Sequence, residues 1–111
     1  MLDERQVVAI VRRVTLRELR LWVDMGWVRP SAGEAGHVFD DLDVARIRLV
    51  CDLRKEMSLP TDAVPLVLSL LDQIHGLRRE LRGLAGAVDA QPDDTQQAIV
   101  AAYRRLTAGQ G

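Results

Sequence analysis

A heptad pattern in the second half of the 111-residue chain is the feature that most restricts its fold. Apolar residues recur there at alternating steps of three and four, which predicts a helix with one continuous apolar face. They are Val67, Leu70, Ile74, Leu77, Leu81, Leu84 and Val88. A chain this short has few residues left to cover such a stripe. We therefore expect either a second copy to cover it, giving a homodimer, or the last helix of the same chain to fold back on it.

The limits of this helix follow from prolines and glycines. Pro65 fits only the first turn of a helix, because deeper inside it would remove a hydrogen bond and clash with a carbonyl. The helix is therefore expected to begin near Thr61 or Asp62, and its glycines predict fraying beyond Gly83.

The rest of the C-terminal half divides by composition. Residues 89–95, DAQPDDT, indicate a linker, and a final amphipathic helix is expected from about Asp94 to Thr107. The expected domains are a head over residues 1–59, a helical arm over 60–88, and a linker with a C-terminal helix over 89–111.

Two short helices are predicted in the head. Asp3 opens the first, over residues 3–11. Thr15 and Glu18 form a T-x-x-E capping box that starts the second, and Gly26 ends it. This spacing is typical of a helix-turn-helix.

A small hairpin is expected next. Residues 27–30 (WVRP) and 37–39 (HVF) are short extended runs, and SAGEAG between them has the composition of a loop. The predicted fold class is thus an all-α winged helix-turn-helix with a two-stranded wing and a helical arm. Trp22 and Trp27 are expected in the core of the head.

Three aspartates then open a third helix, in the stretch VFDDLD. Asp40 or Asp41 caps this helix, which ends near Met57 and carries the apolar residues Leu42, Ile47, Leu49, Val50 and Leu53. A carboxylate at a helix start accepts free backbone N–H groups and meets the positive end of the dipole. One cap does not require three carboxylates, so capping alone and capping plus binding of a basic partner both stay open.

Composition restricts the function. The net charge of −1 gives no general case for nucleic-acid binding, and no nucleophile with a base or phosphate loop indicates an enzyme. Cys51 is alone and is expected to be a buried hydrophobe. We expect no metal site, no cofactor and no membrane contact, and a cytoplasmic location, since the N-terminus is acidic and no apolar run approaches 18 residues.

Three stretches resemble the MerR superfamily of winged-helix regulators, and in particular its CbpM-like chaperone modulators. They are TLRELRLWVDMGWVRP, VFDDLDVARIRLVCDLRKEM and SLPTDAVPLVLSLLDQIHGLRRELRGL. The resemblance implies a protein that binds the J-domain of a DnaJ-like co-chaperone and blocks its encounter with a DnaK-type chaperone. J-domains present a basic helix, so acidic groups beside an apolar patch suit the binding. The expected partner-binding residues are Asp40, Asp41, Asp43, Asp62 and Asp72. The expected dimer seam is Val67, Leu70, Ile74, Leu77 and Leu81.

The alternative function is DNA binding as a MerR-like transcriptional regulator. In DNA-binding relatives the second helix carries an arginine pair and then an aromatic pair, and the wing carries an arginine. Arg17 and Arg20 match the arginine pair, whereas Leu21, Asp24 and His37 depart from the pattern. Each lost cation removes a phosphate contact. The candidate DNA-binding residues are Arg12, Arg13, Arg17, Arg20 and His37. A small-molecule site at the arm also stays open.

Overall fold

The computed structural model describes residues 1–109 and divides the chain into two compact units, residues 1–70 and residues from 71 onward. The first unit holds α1 (Glu4–Val11), α2 (Leu16–Asp24), β1 (Ser31–Gly33), β2 (Gly36–Val38) and α3 (Asp41–Cys51). A π-helical turn (Asp52–Glu56) and a 3-10 turn (Thr61–Ala63) follow α3. The helix α4 (Val64–Asp89) begins in the first unit and ends in the second, which also holds α5 (Asp93–Ala108).

Reciprocal capping boxes start α1 and α2. The Thr15 hydroxyl accepts the Glu18 backbone N–H at 3.1 Å, and the Glu18 carboxylate accepts the Thr15 N–H at 3.0 Å. Asp3 and Gln6 do the same for α1, at 2.8 and 2.9 Å. Each box satisfies two backbone donors that a helix start otherwise leaves free. The predicted pair of helices is confirmed.

Gly26 ends α2 in a Schellman motif. Its φ of +76° lies in the left-handed region, which glycine adopts without steric cost. The Gly26 N–H donates to the Val23 carbonyl and the Trp27 N–H donates to the Trp22 carbonyl, both at 3.0 Å. The predicted role of Gly26 is confirmed.

The first strand of the hairpin lies further along the chain than the sequence pattern indicated. The stretch SAGEAG forms β1 (Ser31–Gly33), a turn at residues 34–35 and the first residue of β2, so its prediction as a loop throughout was wrong, whereas β2 (Gly36–Val38) overlaps the predicted extended run at residues 37–39. Ser31 pairs with Val38 and Gly33 with Gly36. A Cβ on Gly33 would come within 2.9 Å of the Gly36 carbonyl oxygen, so the strand approach at position 33 needs glycine. Residues 27–30 are not a strand, because the Trp27 backbone N–H donates to the Trp22 carbonyl at the end of α2.

The third helix continues through the π-helical turn to Glu56, which agrees with the predicted end near Met57. The Met57 N–H donates to the Asp52 carbonyl at 2.9 Å, a bond across five residues that defines the π turn. This turn brings Asp52 and Lys55 to the loop between α1 and α2. Arg13 donates to Asp52 at 2.6 Å, and Lys55 donates to the Arg13 carbonyl.

One apolar core lies inside the first unit. It draws on every element of this unit except the hairpin strands and the 3-10 turn, and it includes both tryptophans, as predicted, and Cys51. Its fully or almost fully buried side chains of largest volume are Phe39, Leu19, Ile47, Val7, Val28, Val50, Val64 and Cys51. Phe39 also pairs with Leu2 through two backbone hydrogen bonds of 3.0 and 2.8 Å, which ties the N-terminus to the chain after β2.

The second unit consists of the rest of α4 and of α5, joined by residues 90–92, and has no buried side chain within residues 71–109. The helix α4 runs to Asp89, so the predicted fraying beyond Gly83 was wrong. A helical glycine keeps its N–H in the hydrogen-bond ladder and lowers stability by only about 1 kcal/mol. The predicted linker was too long: Pro92 and the acidic first turn of α5 start that helix at Asp93, leaving three residues between the helices.

The seam residues differ in exposure. Val67 is partly buried against the core of the first unit. The other four are exposed, with Leu70 at 50%, Ile74 at 43%, Leu77 at 59% and Leu81 at 65%. On α5, Ile99, Tyr103 and Leu106 are exposed as well. In the described part of the chain, no helix combines the length and apolarity that crossing a lipid bilayer requires.

Candidate protein-binding surface

Two of the three clustered aspartates cap α3. Asp40 is the N-cap, and its carboxylate accepts the Asp43 N–H at 2.8 Å. The Asp43 carboxylate accepts the Asp40 N–H at 3.0 Å, which completes a capping box with aspartate in the place usually held by glutamate. Capping therefore accounts for the positions of Asp40 and Asp43.

Asp43 is the least exposed of the three. Burial raises the pKa of Asp43, and the neighbouring Asp40 carboxylate adds to this rise, while the hydrogen bond from the Asp40 backbone opposes it. The carboxylate of Asp43 is thus shielded both by the fold and by Asp40. It is the weakest of the three as a contact for a partner.

Asp41 and Leu42 lie outside the capping box. Asp41 is the first residue of α3 and is exposed. Leu42 is 81% exposed, in contrast to the buried Ile47 and Val50 of the same helix. At 3.6 residues per turn, Leu42 lies about 140° around the helix from the buried Ile47. The pair presents a carboxylate next to a large apolar side chain, and we call it the Asp41–Leu42 corner.

The other two predicted acidic residues lie apart from this corner in sequence. Asp62 is exposed on the 3-10 turn that precedes α4. Asp72 is exposed on α4 within the second unit.

The four arginines predicted for DNA binding differ in their contacts within the fold. Arg20 binds both oxygens of Glu4, at 2.6 and 3.2 Å, and this hydrogen bonding lowers the pKa of Glu4. Arg13 binds Asp52 at 2.6 Å and reaches Glu56 at 3.7 Å. Two of the four arginines therefore already have carboxylate partners inside the fold.

Arg12, Arg17 and His37 are exposed. Arg12 adopts a left-handed conformation, with φ of +67°, at the end of α1. His37 lies on β2 and meets the ring of Phe39 edge-on at 6.5 Å. His37 also shares a small cavity of about 50 Å³ with Arg20, Glu4 and Asp24. The structure thus brings His37 close to Arg20, but beside two carboxylates.

The outer face of α2 carries apolar side chains that the sequence analysis did not assign to a surface. Leu21 is 53% exposed and Met25 is 44% exposed. They are four residues apart and so lie on one side of the helix. Arg17 and Asp24 flank Leu21 along the same face. A signal was available in the sequence, because Leu21 and Met25 fall outside the Leu19 and Trp22 stripe.

No group of three or more His, Cys, Asp or Glu residues is placed to hold a metal ion within residues 1–109. The Cys51 thiol is buried, and burial raises the pKa of Cys51.

Comparison with known proteins identifies the family. A family model described as "MerR HTH family regulatory protein" matches residues 7–85, which is most of the chain. No curated protein and no solved structure matches the chain. The matched segment includes the C-terminal part of α1, the turn and α2, the hairpin, α3 and most of α4. The chain therefore belongs to the MerR family of helix-turn-helix regulatory proteins.

Proposed function

We propose that this MerR-family chain regulates a chaperone system by binding the J-domain of a DnaJ-like co-chaperone and inhibiting it. The observation that supports this proposal most is the Asp41–Leu42 corner. Two of the three aspartates serve the helix cap, yet Asp41 and the 81% exposed Leu42 have no such role in the fold. A surface carboxylate beside an exposed leucine suits a partner that offers a basic helix with apolar side chains.

The roles of the acidic residues differ in this proposal. Asp41 supplies the main charge contact, and Leu42 is the apolar anchor. Asp40 and Asp43 contribute their negative charge while one oxygen of each stays in the capping box. Asp62, in the first unit, and Asp72, in the second, are each proposed as a further acidic contact for the partner. Charges at the edge of an interface mainly raise the association rate and make it salt-dependent.

We also propose that the chain acts as a homodimer through the arm. The exposed seam of Leu70, Ile74, Leu77 and Leu81 supports this, with Val67 at its start. Isolated helices of this kind are marginal in water, and covering an apolar stripe stabilises them.

Titration calorimetry with a purified J-domain tests the binding. We expect Asp41→Lys and Leu42→Ser each to weaken the affinity by at least about tenfold. The matched controls are Asp93→Lys and Leu106→Ser. Asp93 is likewise the first residue of its helix and exposed, and Leu106 is 74% exposed. These controls make the same chemical changes on α5 and should leave J-domain affinity unchanged.

The expected salt dependence gives a second criterion. Affinity for the J-domain should fall as the salt concentration rises, and the fall should be smaller for Asp41→Lys. Equal binding by wild type, Asp41→Lys and Leu42→Ser would contradict the assignment of this corner. Absence of J-domain binding by the wild type would contradict the proposed function itself.

DNA binding is the second candidate. The helix-turn-helix and the exposed Arg12 and Arg17 support it. The Glu4 partner of Arg20, the Asp52 partner of Arg13 and the exposed Leu21 on α2 weigh against it. A mobility assay with duplex DNA at low salt separates the two candidates. A DNA-binding regulator should shift the duplex and lose affinity on Arg17→Ala, while Asp41→Lys should not weaken the shift.

A further inference from the structure

A groove in the first unit has no role in the proposed function. It has a volume of about 180 Å³ and lies between α2, the π-helical turn and the 3-10 turn. Its lining residues are Leu21, Trp22, Met25, Trp27, Glu18, Arg54, Lys55 and Thr61. The two tryptophans are buried and contribute only small exposed edges, whereas Leu21 and Met25 are about half exposed. One side of the groove is therefore apolar, and the other lining residues are polar or charged.

The charged residues of the groove are fixed in place. Lys55 donates to Glu18 at 2.9 Å and to the Arg13 carbonyl. Arg54 donates to the Leu59 carbonyl at 2.6 Å, a neutral partner that leaves the positive charge of Arg54 uncompensated by this bond. Two cations and one carboxylate line the groove, so its local charge favours an acidic occupant. Side chains that are already held lose little entropy when a ligand binds.

The same chain offers a segment with the matching chemistry. Leu42 is the most exposed large apolar side chain among residues 1–109, and it adjoins the carboxylate of Asp41. A leucine side chain suits the apolar side of the groove, and an adjacent carboxylate suits Arg54 and Lys55. At 81% exposure, Leu42 does not occupy the groove of its own chain.

We propose that the Asp41–Leu42 corner of one copy docks in the groove between α2 and the π-helical turn of a second copy. The contact joins two different surfaces and is separate from the helical seam of α4. It covers the corner that the proposed function offers to the J-domain. Self-docking and J-domain binding therefore exclude each other, although self-docking does not depend on the J-domain assignment.

A charge exchange tests this contact by sedimentation velocity over a range of protein concentrations, with every chain carrying Leu81→Asp so that the proposed arm dimer does not contribute. Asp41→Lys and Met25→Glu should each weaken self-association by at least about tenfold, because each sets like charges against each other across the contact. The double variant Asp41→Lys/Met25→Glu again places opposite charges together and should restore it. Ile10→Glu is the control, since Ile10 is 47% exposed on α1 and outside the groove.

Cysteine pairing provides a second measurement. A chain with Leu42→Cys mixed with a chain with Met25→Cys should form a disulfide-linked dimer faster than either chain alone. The native Cys51 is buried and does not compete. No preferential linkage in the mixture, together with no effect of the charge variants on sedimentation, would overturn the proposal.

Measurements of J-domain affinity distinguish a failure of the self-docking proposal from a failure of the proposed function. Met25→Glu should reduce self-association and keep full affinity for the J-domain. If Met25→Glu instead loses J-domain affinity and sediments like the wild type, the groove belongs to the co-chaperone and self-docking is wrong. If the wild type ignores the J-domain while the charge exchange restores association, self-docking stands without the chaperone role.

Discussion

Trp27 packs against Trp22 across the turn that ends α2, with ring centroids 6.5 Å apart and ring planes tilted by 34°. The backbones of the same two residues are joined by the Trp27 N–H donating to the Trp22 carbonyl at 3.0 Å. In a Schellman motif these two positions often make an apolar contact, and here both are aromatic. Trp22 and Trp27 therefore both close the end of α2 and contribute to the core of the first unit, and Gly26 lies between them in the sequence.

Gly26→Ala should destabilise the first unit by about 1–2 kcal/mol, because an L side chain is strained at φ of +76°. Open space surrounds the position of the added Cβ, so the loss comes from the backbone alone. Urea denaturation followed by tryptophan fluorescence measures it. Gly76→Ala, in the middle of α4, should instead raise the helix content by circular dichroism. Equal stability of Gly26→Ala and wild type would contradict the Schellman assignment.

Substitutions at Asp40 should separate capping from charge. Asp40→Ala removes the acceptor for the Asp43 N–H and should reduce stability by about 1 kcal/mol. Asp40→Asn keeps an acceptor and should reduce it less, although both variants remove the same charge. Thermal unfolding gives the stabilities and calorimetry gives the J-domain affinity. Equal losses of stability would show that charge, rather than the cap, is what matters at this position.

Glu18 should make stability depend on pH. Burial opposes its ionisation, but hydrogen bonds from Lys55 and the Thr15 backbone outweigh this and lower the pKa of Glu18. A carboxylate with a lowered pKa in the folded state stabilises the fold above its unfolded pKa. This stabilisation is lost as the pH falls through the folded value. Below about pH 4, the free energy of unfolding should therefore decline less for Glu18→Gln than for the wild type. The difference between the two declines should be less than about 1 kcal/mol.

Denaturation at a series of pH values measures the effect of Glu18→Gln. Glu34→Gln is the control, because Glu34 is exposed at the hairpin turn. A steeper acid decline in Glu18→Gln than in wild type would contradict the assigned role of Lys55.

A charge in the arm seam should dissociate the proposed dimer. Leu81→Asp places a carboxylate in an apolar stripe, and we expect the dissociation constant of the dimer to rise by at least about a hundredfold. Light scattering during size-exclusion chromatography measures the mass. Arg79→Asp adds a carboxylate two residues away on α4, outside the heptad stripe, and should leave the dimer intact. A wild type that stays monomeric at high concentration would contradict the seam.

Local signals in the sequence were enough for the head and its caps. Thr15, Glu18 and Gly26 act through neighbours a few residues away, so their roles follow from spacing alone. The first strand of the hairpin was misplaced because residues 27–30 are typical of a strand, while the Trp27 N–H is taken up by the Trp22 carbonyl at the end of α2. The exposure of Leu42 was not predictable, because helical patterns show which residues are apolar and do not show which of them face solvent.

The candidate surface was predictable only in part. The aspartate cluster was recognised from its sequence, but its division into a capping pair and an outer corner depends on hydrogen bonds between Asp40 and Asp43. The ion pair between Arg20 and Glu4 joins residues 16 positions apart on two helices. No spacing rule predicts such a pair. The pair weakens the case for DNA binding, because Arg20 is one of the two arginines that match the DNA-binding pattern.

The π-helical turn at residues 52–56 has a consequence for how this chain can vary. One additional residue in a single helical turn presents Asp52 to Arg13 in the loop of the helix-turn-helix and Lys55 to Glu18 in the first turn of α2. Deleting one residue here would restore ordinary helical spacing and rotate everything beyond it by about 100°. Length at this point is therefore constrained in addition to the identity of Asp52, Leu53 and Lys55, so a one-residue deletion should be harmful even where it leaves these three residues in place.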